Sequence, residues 1–107
     1  MTELQDKLIE ELQNLTDLLD KYDVKNWSLT FSKIQKMIDN GDKRGIDSLK
    51  NVRGGMGSFT DLVICQINGH RIMKNEEDYA NTELIRLGNL VFNTADKLNR
   101  EINKNSA

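Results

Sequence analysis

The sequence predicts an all-α fold, a single domain over residues 1–107 built as a bundle of four to five helices. Three observations carry that expectation. Apolar residues recur at steps of three and four at both ends of the chain, which is the spacing of one face of a helix. No proline interrupts the pattern. Glycine and asparagine punctuate it at short intervals, as in helices joined by short loops. With 37% hydrophobic and 30% charged residues, a chain of 107 residues suits one core and leaves no room for two domains.

The first helix is expected over residues 2–21. Leu4, Leu8, Leu12, Leu15, Leu19 and Tyr22 share one face, and Thr2 and Gln5 have the spacing of a capping box. Glu3, Asp6, Glu10, Asp17 and Asp20 fall on the opposite face. The second helix carries Trp27, Phe31, Ile34 and Ile38, with Asn26 as its N-cap and Asn40-Gly41 as its stop. Asp42 then caps a short third helix that buries Ile46 and Leu49. A fourth is expected over residues 59–67, capped by Ser58 with Asp61 at N3. Its run Leu62-Val63-Ile64-Cys65 is apolar on all sides, which reads as a buried helix, although a short buried strand has the same signature. The last helix follows Ala80, Leu84, Leu87, Val91, Ala95, Leu98 and Ile102, with a fraying tail beyond. Ile85 and Phe92 add a second stripe, free for a homodimer if the core does not use it. The expected core is Leu8, Leu12, Leu15, Leu19, Phe31, Ile34, Leu62, Leu87, Val91 and Leu98.

No apolar run approaches the ~20 residues of a membrane span, and the opening Met1-Thr2-Glu3-Leu4 lacks the basic and apolar regions of a secretory signal. The expected location is therefore the cytoplasm. A single cysteine, Cys65, excludes an internal disulfide. Net charge is −2, but residues 41–74 carry six Lys/Arg and three Asp/Glu, while both flanks are acidic. Acidic flanks around a basic middle argue against direct nucleic-acid binding.

Catalysis, cofactors and metals are not expected. Cys65 and His70 are two ligands where structural zinc takes four, and a cysteine inside an apolar run resists forming a thiolate. Ser58, His70 and Asp61 have the residue types of a triad, but Ser58 has a simpler use as a helix cap. The loop Gly54-Gly55-Met56-Gly57 is the most specific local feature. It is either a tight turn or an anion or nucleotide sensor, in which N–H groups at Gly55, Gly57 and Ser58 act with Arg53 and Arg71. No Lys-Ser/Thr follows the glycines, so it is not a P-loop. Acidic runs are ordinarily solvated surface. Here Asp17, Asp20, Asp23, Glu76, Glu77 and Asp78 are also candidate contacts for a basic protein partner, with Trp27 as an aromatic anchor.

Gly54-Gly55-Met56-Gly57-Ser58-Phe59-Thr60-Asp61-Leu62-Val63 resembles a motif of a small bacterial family of unknown function. Trp27, Gly41-Asp42, Gly45-Ile46 and Asn68-Gly69-His70 fit the same pattern, over about residues 18–100. In size, helical class and charge the chain also resembles immunity proteins of contact-dependent inhibition and other polymorphic toxin systems. That second resemblance, which has no diagnostic motif, implies a non-enzymatic inhibitor that binds a cognate toxin domain, a nuclease being the expected kind.

Overall fold

The computed structural model describes residues 3–53, 59 and 62–105. Every regular element among them is helical. Helix α1 spans Glu3–Lys21, α2 Lys25–Asp39, α3 Arg44–Arg53 and α4 Glu77–Asn105. Two 3-10 turns, Gln66–Asn68 and Lys74–Glu76, lie between α3 and α4. The 29 residues of α4 extend about 44 Å and account for most of the 50 Å long axis. Among the described residues no helix is long and apolar enough to cross a membrane.

Helix α1 packs against both α2 and α4, and α3 closes the bundle by touching the same two partners. The α1–α2 pair is an antiparallel hairpin, seamed at intervals by polar contacts. Gln5 Nε2 donates to the Ile38 carbonyl at 2.6 Å, Gln35 Nε2 donates to the Ile9 carbonyl at 3.3 Å, and Ser28 Oγ donates to Asp20. Gln5 is thus used between helices. Thr2, its expected capping partner, lies outside the described residues. Leu8, Leu12, Leu15 and Leu19 are completely buried, each contributing roughly 1.5–3 kcal/mol relative to an exposed position.

Both helices of the hairpin end in the same backbone device. In α2 the Gly41 N–H donates to Ile38 O at 3.1 Å and the Asp42 N–H to Met37 O at 2.8 Å, with Gly41 at φ 73°. That is a Schellman motif. In α1 the Asp23 N–H donates to Asp20 O and the Val24 N–H to Leu19 O, with Asp23 at φ 60°. Replacing Gly41→Ala should destabilise the fold by about 1 kcal/mol, because a Cβ is unfavourable in the left-handed region. The check is the urea midpoint. An unchanged midpoint would mean that the turn relaxes to another conformation.

Asp42 caps α3 as expected, accepting the Arg44 N–H at 3.0 Å. Hydrogen bonds from the Arg44 side chain, foremost, and from its backbone hold the Asp42 carboxyl below its ordinary range. The stabilisation is present above the unfolded-state carboxylate range and is lost as pH falls through the lowered value. At the start of α2 the expectation fails. The helix begins at Lys25 behind Val24, which supplies no side-chain cap, and Asn26 lies inside the first turn.

Four aromatic rings fill the middle of the core. Phe31 meets Phe59 at 4.8 Å between centroids, Trp27 lies 5.4 Å from Phe59, and Phe59 reaches Phe92 of α4 at 6.1 Å. Gly88 permits this approach, since a Cβ there would sit 3.1 Å from Phe59 Cε2.

The expected fourth helix over residues 59–67 is corrected by the structure. Residues 62–65 form no helix, and Cys65 is extended at φ −159°, ψ 161°. Leu62 is only half-buried, Val63 is exposed and Ile64 is fully buried. That alternation belongs to an extended chain, and the run forms no strand because a side chain takes the place of a neighbouring strand. Asn81 of α4 accepts the Ile64 N–H at 2.8 Å and donates to its carbonyl at 2.9 Å. The proposed second stripe on α4 is also divided. Phe92 is buried, with the Arg53 guanidinium 5.4 Å over its ring, and Ile85 alone stays exposed. The helix continues past Ile102 to Asn105.

Candidate partner-binding site

The antiparallel path of α1 and α4 brings the end of the first beside the start of the second. Tyr22, almost wholly buried, donates its hydroxyl to Glu76 Oε2 at 3.1 Å. Its carbonyl accepts the Arg71 N–H at 3.2 Å. Burial, first, and then the bond to Glu76 raise the Tyr22 phenol above its ordinary range. These contacts bring the end of α1, where Asp17, Asp20 and Asp23 lie, beside the segment of Glu76, Glu77 and Asp78, although more than fifty residues separate the two runs.

The carboxylates are not equally available. Asp17 accepts from Gln13 Nε2 at 2.8 Å, Asp20 from Ser28, and Asp23 pairs with Lys25 at 3.6 Å. Asp17, Asp20, Asp23 and Asp78 are exposed, whereas Glu76 and Glu77 are half-buried. Glu77 Oε2 accepts the Gln66 N–H at 3.0 Å. Lys21, Lys25, Arg71 and Lys74 belong to the same chain segments, so the surface is mixed with an acidic excess. Trp27 is half-buried in the aromatic cluster. It also lines an open cleft of about 360 Å³ with Asp23, Lys25, Asn26, Leu62 and His70, which places it beside the acidic end.

The anion-binding alternative is not assembled by the described residues. Gly55, Gly57 and Ser58 lie outside them, as does Asp61. Arg53 pairs with Asp96 at 3.3 Å on α4, while Arg71 sits near Tyr22 and Glu76. Asp96 and Glu77 are about 28 Å apart along that helix. His70 meets Cys65 at the backbone, where its Nδ1 accepts the Cys65 N–H at 3.2 Å. Among the described residues no three His, Cys, Asp or Glu side chains gather as metal ligands would.

Sequence reasoning missed three contributors: Tyr22 as a polar bridge, Asn81 as a clamp, and Ile67, which is 96% exposed. Asn81 carried a readable signal, since asparagine is a poor residue for a helix interior unless its amide has another use.

Residues 20–73 match the family described as a domain of unknown function, DUF6966, and the chain belongs to that family. The match begins at Asp20, takes in α2, α3 and the segment over Ile64 and Ile67, and stops before α4. No curated protein and no solved structure matches the chain.

Proposed function

We propose that this protein is a non-enzymatic immunity protein, one that neutralises a cognate bacterial toxin domain, a nuclease, by direct binding. The observation that supports the reading is that the end of α1, which carries Asp17, Asp20 and Asp23, lies beside the segment that carries Glu76, Glu77 and Asp78 at one end of the bundle. The Tyr22–Glu76 hydrogen bond of 3.1 Å ties the two runs together. A nuclease presents cations where it binds phosphate, and a fixed set of carboxylates meets them with fast association and specificity. Trp27, at the rim of the adjoining cleft, offers aromatic area of the kind that anchors interfaces.

The test is to find whether the reading frame beside this chain's gene encodes a toxin with a nuclease domain, and to co-express the chain with that domain. Survival of cells that die with the nuclease alone is the expected outcome. Death with both proteins folded would refute the reading. For the purified pair, association should slow as salt rises, because exposed charges are screened beyond about 8 Å at physiological ionic strength. Asp17→Lys combined with Asp78→Lys should cut the association rate about tenfold or more at low salt. Both side chains are exposed, so circular dichroism should be unchanged. An unaltered rate in the folded double variant would move the interface to another face.

A further inference from the structure

Two Asn-Gly bonds punctuate the chain, Asn40-Gly41 and Asn68-Gly69. Such a bond carries a chemistry of its own. Glycine has no side chain to shield its amide nitrogen, and the side-chain carbonyl of the preceding asparagine lies within ring-closing reach of it. Both asparagines are exposed, and both glycines stand at positive φ, 73° and 81°. The two turns are held differently.

At Asn68 the side chain itself is engaged, its Nδ2 donating to the Val63 carbonyl at 2.9 Å. Backbone bonds span the turn from the Gly69 N–H to Gln66 O at 2.9 Å and from the His70 N–H to Cys65 O at 3.3 Å. Gln66 Nε2 closes a wider ring at the Ile72 carbonyl, 2.8 Å away. At Asn40, among the described residues, the two bonds of the Schellman motif span the turn and the side-chain amide meets no hydrogen-bond partner. Asn40 stands at φ −83°, ψ 2°, which turns the Gly41 nitrogen away from the Asn40 Cβ. Ring closure needs the two on the same side of the Cα–C bond. The closed turn is therefore unreactive, and reaction follows its local opening.

We propose that Asn40 is a site of spontaneous deamidation, through which this protein is covalently modified as it ages, and that Asn68 is protected by its loop. In the opened turn the Gly41 nitrogen gives its proton to a base in the solvent and attacks Asn40 Cγ. The bond from Cγ to Nδ2 breaks, the nitrogen takes up a proton and leaves as ammonia, and a cyclic imide remains. Water adds to one of the imide carbonyls and opens the ring to aspartate or, with the main chain rerouted through Cβ, to isoaspartate. Nothing is oxidised or reduced, and water is the co-reactant. Either product puts a carboxylate at the C-terminal end of α2, beside Asp39 and Asp42, where the helix dipole and both neighbours oppose it. Isoaspartate also lengthens the main chain by one atom inside the Schellman motif. Gln5 meets Ile38 at one end of the α1–α2 hairpin, whereas Ser28 meets Asp20 at the other. Asn40 is thus remote from the candidate partner-binding end, and the inference is independent of the immunity reading.

The test incubates the purified full chain at mildly alkaline pH and follows the mass gain of two tryptic peptides, residues 37–43 with Asn40 and residues 54–71 with Asn68. Asn40 should convert about 2- to 10-fold faster, the factor expected for the side-chain hydrogen bond that Asn68 must first give up. In urea that unfolds the chain, the two rates should converge. Asp42→Ala removes the cap on the far side of the Asn40 turn and should speed conversion of Asn40 while leaving Asn68 as it was. Conversion of Asn68 as fast as Asn40 in the folded chain would overturn the proposal. So would a difference that persists unchanged in urea, which would assign it to sequence neighbours. Equal acceleration of both sites by Asp42→Ala would assign the reaction to global unfolding and would also overturn it.

Discussion

A Phe31→Ala variant is expected to lose about 3–5 kcal/mol of stability, the range for removing a large aromatic side chain from a packed core. Phe31 has no exposed surface. It stands at the middle of the aromatic chain, 6.1 Å from Trp27 and 4.8 Å from Phe59, and Phe59 carries the contact on to Phe92. Its removal therefore opens a hole where α2 meets the rest of the core through rings from distant parts of the sequence. Domains of this size have about 5–15 kcal/mol in total, so the loss takes a large share. Urea denaturation should show a much lower midpoint with a similar slope. A loss below about 1 kcal/mol would mean that the neighbouring rings collapse into the space. Phe31→Leu should be milder, because most of the volume remains.

The opposite sign is expected at Glu11. This residue follows Leu8 by three positions and precedes Leu15 by four, so it lies on the inward face of α1 and is 7% exposed. Among the described residues its Oε1 is buried and meets no hydrogen-bond partner. A buried acceptor with no partner costs about 1–3 kcal/mol, and more when it carries charge. Glu11→Met keeps a long, flexible side chain and removes both oxygens, so it should stabilise the fold by about 1–3 kcal/mol. The melting temperature should rise by about 4–8 °C for each kcal/mol gained. A lower melting point would show that the carboxylate makes a favourable interaction in solution. Because Glu11 is enclosed, the variant should also protect cells as the parent does.

Much of the bundle was legible because period and burial coincide. Leu8, Leu12, Leu15 and Leu19 repeat at steps of four, three and four, and all four are buried. Gly41 and Asp42 announced a stop and a start that the backbone confirms. The segment around Leu62 to Cys65 was misread for a physical reason. A continuous apolar run gives no period to read, and the element that pairs with Ile64 is the side chain of a residue seventeen positions away. The stripe formed by Ile85 and Phe92 failed similarly, since only the approach of Phe59 and Arg53 decides that one is covered and the other open. The carboxylates of the candidate site were visible as charge. The adjacency of the two segments that carry them runs through Tyr22, which periodicity marks as apolar and which acts through its hydroxyl.

The Asn81 clamp has a dynamic consequence. The Ile64 amide belongs to no helix of its own, yet its proton is held by a side chain in the second turn of α4. Its exchange with solvent must then follow the opening of those turns. When they fray, Asn81 and Glu77 release Ile64 and Gln66 together. The exposed isoleucine and the acidic helix start would loosen as one cooperative unit. In a hydrogen-exchange experiment the amides of Ile64, Gln66 and the second turn of α4 should show similar protection, and a bound partner at this end should raise them in step.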